Sequence, residues 1–155
     1  MPSRLLDEIK QSKPFTSPAQ EAYLSIERTS AVLGHAFAEF VKPFGITPTQ
    51  FNVLRILRGA GEAGLCRHEI RDRLVAQVPD VTRLIDRLVE MGLVTRERDG
   101  EDRRLVTARI TPAGLRLLAE LDEPVREFDR RTLGHLTSEQ VRSLVELLEI
   151  ARRCP

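Results

Sequence analysis

The 155-residue sequence is short of lysine, cysteine and histidine, and it has no long apolar run. Nothing approaches the ~20 consecutive apolar residues of a bilayer-spanning helix. Met1 to Lys13 lacks the continuous apolar core of a secretory signal. No membrane association is expected, and the expected location is the cytoplasm. Two cysteines, Cys66 and Cys154, lie too far apart to suggest a disulfide framework, so a reducing compartment is the default. The histidines (His35, His68, His135) are scattered. No glycine-rich loop cradles a phosphate, and no local signature marks a nucleophile. No enzymatic activity is expected. Cys66, His68 and Glu69 are metal-ligand types close in sequence, but residues two apart on a helix point to different sides. Neither a metal nor a cofactor is expected.

The composition is 41% hydrophobic and 30% charged, which is that of a globular chain. At this length one domain buries roughly 70% of the surface its unfolded chain would expose. A net charge of +1 makes the whole molecule no trap for polyanions, so any nucleic-acid binding has to come from a local basic surface. The basic residues are 21 arginines against three lysines (Lys10, Lys13, Lys42). Arginine suits bidentate recognition of phosphate and guanine; it is also the base that GC-rich genomes favour.

Helix starts are clearly punctuated. Ser17-Pro18-Ala19-Gln20, Thr47-Pro48-Thr49-Gln50 and Thr137-Ser138-Glu139-Gln140 each place a hydroxyl at an N-cap and a glutamine three residues on, the pattern of a capping box. Thr111-Pro112 starts another helix, with proline where its missing N–H costs nothing. Helices are expected over about 18–41, 48–58, 67–75, 79–91, 112–134 and 138–152. In the fourth, Val81, Leu84, Ile85 and Leu88 face inward, and Asp80, Arg83, Asp86, Arg87 and Glu90 lie opposite. Gly92 is placed to end it. Residues 93–98 and 105–110 read as strands around the polar turn 99–104, a β-hairpin. The last helix has an apolar stripe at Val141, Leu144, Val145 and Leu148, widened by Leu147 and Ile150. So broad an apolar surface needs more than one neighbour, and a second subunit is the better source.

The fold class is therefore mainly α with a small β-hairpin wing. Helix, short helix, helix and hairpin over 48–110 make a winged helix-turn-helix. Its third helix can enter the ~12 Å major groove, with the hairpin beside it.

The stretch Asp80-Val81-Thr82-Arg83-Leu84-Ile85-Asp86-Arg87-Leu88, then Gly92-Leu93-Val94, Arg96 and Asp102-Arg103-Arg104, resembles the MarR family of bacterial transcription regulators. Thr111-Pro112-Ala113-Gly114 and Thr47-Pro48-Thr49-Gln50-Phe51 fit the same pattern, and the likeness runs over roughly 18–152. The resemblance implies a single domain over 1–155, with a winged lobe at 46–110. Helices within 1–42 and 112–155 would form the dimerisation region of a homodimer. It implies a repressor that binds a pseudo-palindromic operator in double-stranded DNA and is released by a small-molecule or oxidant signal. The recognition helix would correspond to 78–91. In the wing, Arg104 would enter the minor groove and Asp102 would help hold it; an aspartate two residues away in a strand lies on the same face.

The DNA-binding candidates are Gln77, Pro79, Asp80, Thr82, Arg83, Arg87, Arg96, Asp102, Arg103 and Arg104. Family members often carry small hydroxyl or basic residues where this chain has Gln77-Val78-Pro79-Asp80. Asp80 could accept from a cytosine amine or complement the helix N-terminus. Cys66, at an N-cap position that favours a thiolate, with the opposing charge of Glu69 three residues on, is the redox candidate; the alternative is a partly buried structural cysteine, and it does not match the family's N-terminal sensing cysteine. Tyr23 and His35 are the effector-pocket candidates. Two rival readings stand beside the repressor: a DNA-binding architectural protein without effector response, and a winged-helix protein-interaction module.

Overall fold

The computed structural model describes residues 4–98, 100, 102 and 104–154. Two compact units divide the chain, 1–40 and 41–155.

The first unit holds α1 (Arg4–Glu8) and all but the last residue of α2 (Pro18–Val41). Ser17 caps α2 by accepting from the Gln20 N–H at 3.1 Å. The expected capping box differs in one bond: the Gln20 side chain reaches the N–H of Thr16, at 2.7 Å, and not that of Ser17.

The second unit runs α3 (Pro48–Ala60), β1 (Leu65–Cys66), α4 (Arg67–Arg73), α5 (Val81–Glu90), β2 (Val94–Arg98), β3 (Val106–Ile110), α6 (Pro112–Leu133) and α7 (Ser138–Ala151). Thr47 and Thr137 both form complete capping boxes with Gln50 and Gln140. The core gathers around α3, whose Phe51, Val53, Leu54 and Leu57 are buried on more than one face. Ile70 of α4, the α5 stripe Val81, Ile85 and Leu88, and Leu118 and Leu121 of α6 are also buried.

The hairpin has a third strand that the sequence reading lacked. β3 is central, with β2 on one side and β1 on the other, all antiparallel. β1 pairs only through Leu65 with Ala108 and Cys66 with Thr107. Gly64 makes this close approach possible: its φ is +66°, and a Cβ there would stand 2.5 Å from the Ala108 carbonyl.

α5 ends in a full Schellman motif. Gly92, at φ +73°, donates its N–H to Val89 O at 2.9 Å, and Leu93 donates to Leu88 O at 3.0 Å. Thr111 ties this end to the next helix. Its hydroxyl donates to Gly92 O at 2.7 Å and accepts the Gly114 N–H at 3.1 Å.

Candidate nucleic-acid interface

The recognition helix is shorter at its start than expected. α5 begins at Val81, not at 79, and Pro79 lies in the loop before it along with exposed Gln77. Two local effects set that boundary. Proline biases the residue before it, Val78, away from helical backbone. Asp80 then caps the helix, its Oδ1 accepting the Arg83 N–H at 2.9 Å. Of the two roles open to Asp80, the structure supplies the helix-terminal one.

The outer face of α5 presents Arg83 and Arg87, both exposed. Arg87 stands 3.7 Å from Glu90 one turn on, a loose surface pair. Among the described residues the Arg83 guanidinium has no hydrogen-bond or ion-pair partner. Thr82 is half-buried, and its hydroxyl accepts from Arg67 at 3.2 Å.

Arg67 is not among the candidates that the sequence offers. The available signal was its position: the first residue of the first helix of a helix-turn-helix, the helix that crosses the DNA backbone. The structure hydrogen-bonds it to the recognition helix.

Arg96 has a different place from Arg83. It projects from β2 onto Asp86 of α5 and forms an ion pair with it. Its charge is matched within the protein, and the pair joins the recognition helix to the base of the wing. At the wing tip, Asp102 and Arg104 lie in the turn and not in a strand. The same-face strand argument for Asp102 holding the Arg104 side chain therefore does not apply. Asp102 Oδ1 instead accepts the backbone N–H of Arg104 at 3.0 Å, shaping the turn that presents it. Arg104 is exposed, and among the described residues its guanidinium is unpaired. Arg103 lies outside the described residues.

Between α4, α5 and the wing is a cavity of about 250 Å³, lined among others by Cys66, Arg67, Thr82, Ile85, Arg96 and Arg104. Cys66 is partly exposed on its wall, and Cys154 is exposed; both are free thiols. Glu69 accepts the Cys66 backbone N–H at 2.8 Å. That bond, the Cys66 side chain and the nearby Arg73 hold its carboxyl below the usual carboxylate value. Tyr23 and His35 both lie exposed on α2, and neither lines this cavity.

Three helices with a hairpin beside the third, and arginines on that helix and at the hairpin tip that are unpaired among the described residues, define a winged helix-turn-helix DNA-binding protein. Residues 44–105 match the model of the MarR family. The chain is 32% identical over 110 residues to the HTH-type transcriptional repressor IacR of Pseudomonas putida, a match covering 71% of this chain and 65% of that protein. It thus spans a little less than two thirds of that relative's length. The crystal structure of a MarR transcription factor from Planctomyces limnophilus shares 43% identity and superposes with a TM-score of 0.68, covering 88% of this chain and 99% of that one. The S. aureus MepR–DNA complex shares the fold at 22% identity, with a TM-score of 0.76 over 91% of this chain and 100% of that one. The chain belongs to the MarR family of DNA-binding transcription regulators, a family of regulators and not of enzymes. Among the described residues no helix is long and apolar enough to cross a membrane.

Proposed function

We propose that the protein is a sequence-specific repressor that binds a pseudo-palindromic operator as a homodimer and is released by a small-molecule or oxidant signal. The observation that carries the DNA-binding part is the pair of exposed guanidinium groups, Arg83 on α5 and Arg104 on the wing, that have no partner among the described residues. In this reading α5 lies in the major groove. Arg83 meets bases or phosphate there, with Gln77, Pro79, Thr82 and Arg87 around it. Arg104 enters the flanking minor groove, where a narrow groove concentrates negative potential. Asp102 acts by shaping the turn, and Asp80 by setting the start of the helix.

The dimer rests on α7. That helix has no buried residue, and Leu144, Val145, Leu147 and Ile150 are 38–65% exposed. A second copy would cover them, with 1–42 and 112–155 as the dimerisation region. Two recognition helices on one face of the duplex then require half-sites about 10–10.5 bp apart, or a multiple of that. Repression is supported by the name of the Pseudomonas relative. Release rests on the family and on the 250 Å³ cavity, where a bound molecule would touch Thr82 and Arg104. Cys66 on the cavity wall is the place for an oxidant to act.

Footprinting on DNA that spans the gene's own promoter, at several salt concentrations, tests the reading. A protected pseudo-palindrome whose affinity falls steeply with salt is expected. Salt-dependent binding without a footprint would favour an architectural protein, and no binding at low salt a protein-interaction module.

A further inference from the structure

Thr111 stands where the recognition helix meets α6. Its hydroxyl donates to Gly92 O, the carbonyl just past α5, at 2.7 Å, and accepts the Gly114 N–H of α6 at 3.1 Å. Its own N–H donates to Leu93 O at 3.0 Å. Among the described residues no other side-chain hydrogen bond joins the end of α5 to the start of α6. One hydroxyl therefore does two separable things: it caps α6, and it ties α6 to the recognition helix.

α6 has a second attachment further along. Arg58 of α3 donates from one guanidinium nitrogen to both carboxylate oxygens of Asp122, at 2.9 and 3.1 Å. Between the two attachments Gly114, Leu118 and Leu121 are buried; past Asp122 no residue of α6 is. The first half of α6 is thus packed into the winged lobe, and the second half runs on uncovered into the region proposed for dimerisation. Two attachments fix the direction of a rod, whereas one leaves it a pivot. That direction sets where each lobe, with its α5, stands relative to the dimer.

We infer that Thr111 is a specificity-determining residue for half-site spacing: its bond to Gly92 O holds the two recognition helices at one separation. The inference rests on the dimeric operator reading above and adds to it the side chain that fixes the spacing. A base pair inserted between half-sites shifts one of them by about 3.4 Å and turns it by about 35°. To follow, one lobe must swing about its α6, and the swing breaks the tie. One hydrogen bond contributes about fivefold to an equilibrium, so the tie adds about that much to the discrimination between spacings.

The test uses the full-length protein, a duplex that it selects from a random pool, and the same duplex with one base pair inserted between the half-sites. The readout is the ratio of the two affinities, which is independent of the fraction of protein that is folded. Thr111→Ser keeps both hydroxyl bonds and should keep the parent's ratio. Thr111→Asp keeps the cap, because a carboxylate accepts the Gly114 N–H, but it has no proton for Gly92 O. Its ratio should fall about fivefold, and so should that of Thr111→Ala, which lacks both bonds. Asp and Ala variants as selective as the parent would overturn the inference and leave the operator reading intact. So would a fall in Thr111→Ala that Thr111→Asp does not share, which would trace to the cap, or a fall in Thr111→Ser as large as in Thr111→Asp. A parent protein indifferent to the inserted base pair would overturn the paired half-site reading, and this inference with it.

Discussion

Alanine at two helical glycines should move stability in opposite directions, although both substitutions favour helix. Gly114 is in the first turn of α6, pressed against the base of the wing. A Cβ there would stand 2.6 Å from the Leu93 carbonyl oxygen and 2.6 Å from Ile110 Cγ1. The isoleucine can rotate, but the carbonyl cannot easily yield, because it accepts the Thr111 N–H at 3.0 Å. Moving α6 outward would stretch both bonds of the Thr111 hydroxyl. Overpacking of this kind costs ~1–3 kcal/mol. The helix-propensity gain of alanine over glycine offsets at most about 1 kcal/mol of it. Gly114→Ala should therefore destabilise by about 1–2 kcal/mol. For a chain of this size that lowers Tm by roughly 2–8 °C. Gly59 of α3 has nothing within 4 Å of its would-be Cβ, so Gly59→Ala should stabilise by about 0.5–1 kcal/mol. Thermal melts of both variants at one fixed protein concentration decide the matter, since association would make Tm concentration-dependent. A Gly114→Ala protein that melts at or above the parent would refute the packing argument.

Three further outcomes bear on function. Arg104→Ala should weaken operator binding about tenfold and reduce the salt slope by about one per subunit, without altering dimerisation; an unchanged affinity by fluorescence anisotropy would remove the wing from the interface. Arg96→Ala should leave that slope unchanged, because its charge is matched by Asp86, and should cost no more than about 1 kcal/mol of stability; a slope reduced as in Arg104→Ala would make Arg96 a direct phosphate contact. Replacing Leu144 and Leu148 with glutamate should yield monomers in analytical ultracentrifugation, and a stable dimer would place the subunit contact elsewhere.

The parts of the fold written in local chemistry were legible in the sequence. Thr47 with Gln50, Thr137 with Gln140, and Gly92 after α5 do in space what their spacing implies, because a cap is settled within four or five residues. β1 was not legible. Two residues carry no periodicity, and Leu65–Cys66 becomes a strand only because Thr107 and Ala108 come alongside. The start of α5 was a contest between Pro79, a good first helical residue, and Asp80, a good cap; the Asp80 carboxylate on the Arg83 N–H decides it. At the candidate site, the residue types and their elements could be read. The partners of Arg96 and Arg67 could not, since Asp86 and Thr82 lie on other elements, ten and fifteen positions away.

The unequal lengths of the three strands have a mechanical consequence. Where β1 lies alongside, at Thr107 and Ala108, the wing is three strands wide; toward Arg98 and Val106, and again toward Val94 and Ile110, it is two. Bending stiffness rises with every strand added, so the wing is stiffest at Thr107 and Ala108, and there Arg96, opposite Ala108, is also tied to Asp86 of α5. In the proposed DNA complex, the Arg96–Asp86 pair would therefore couple any movement of the wing to α5.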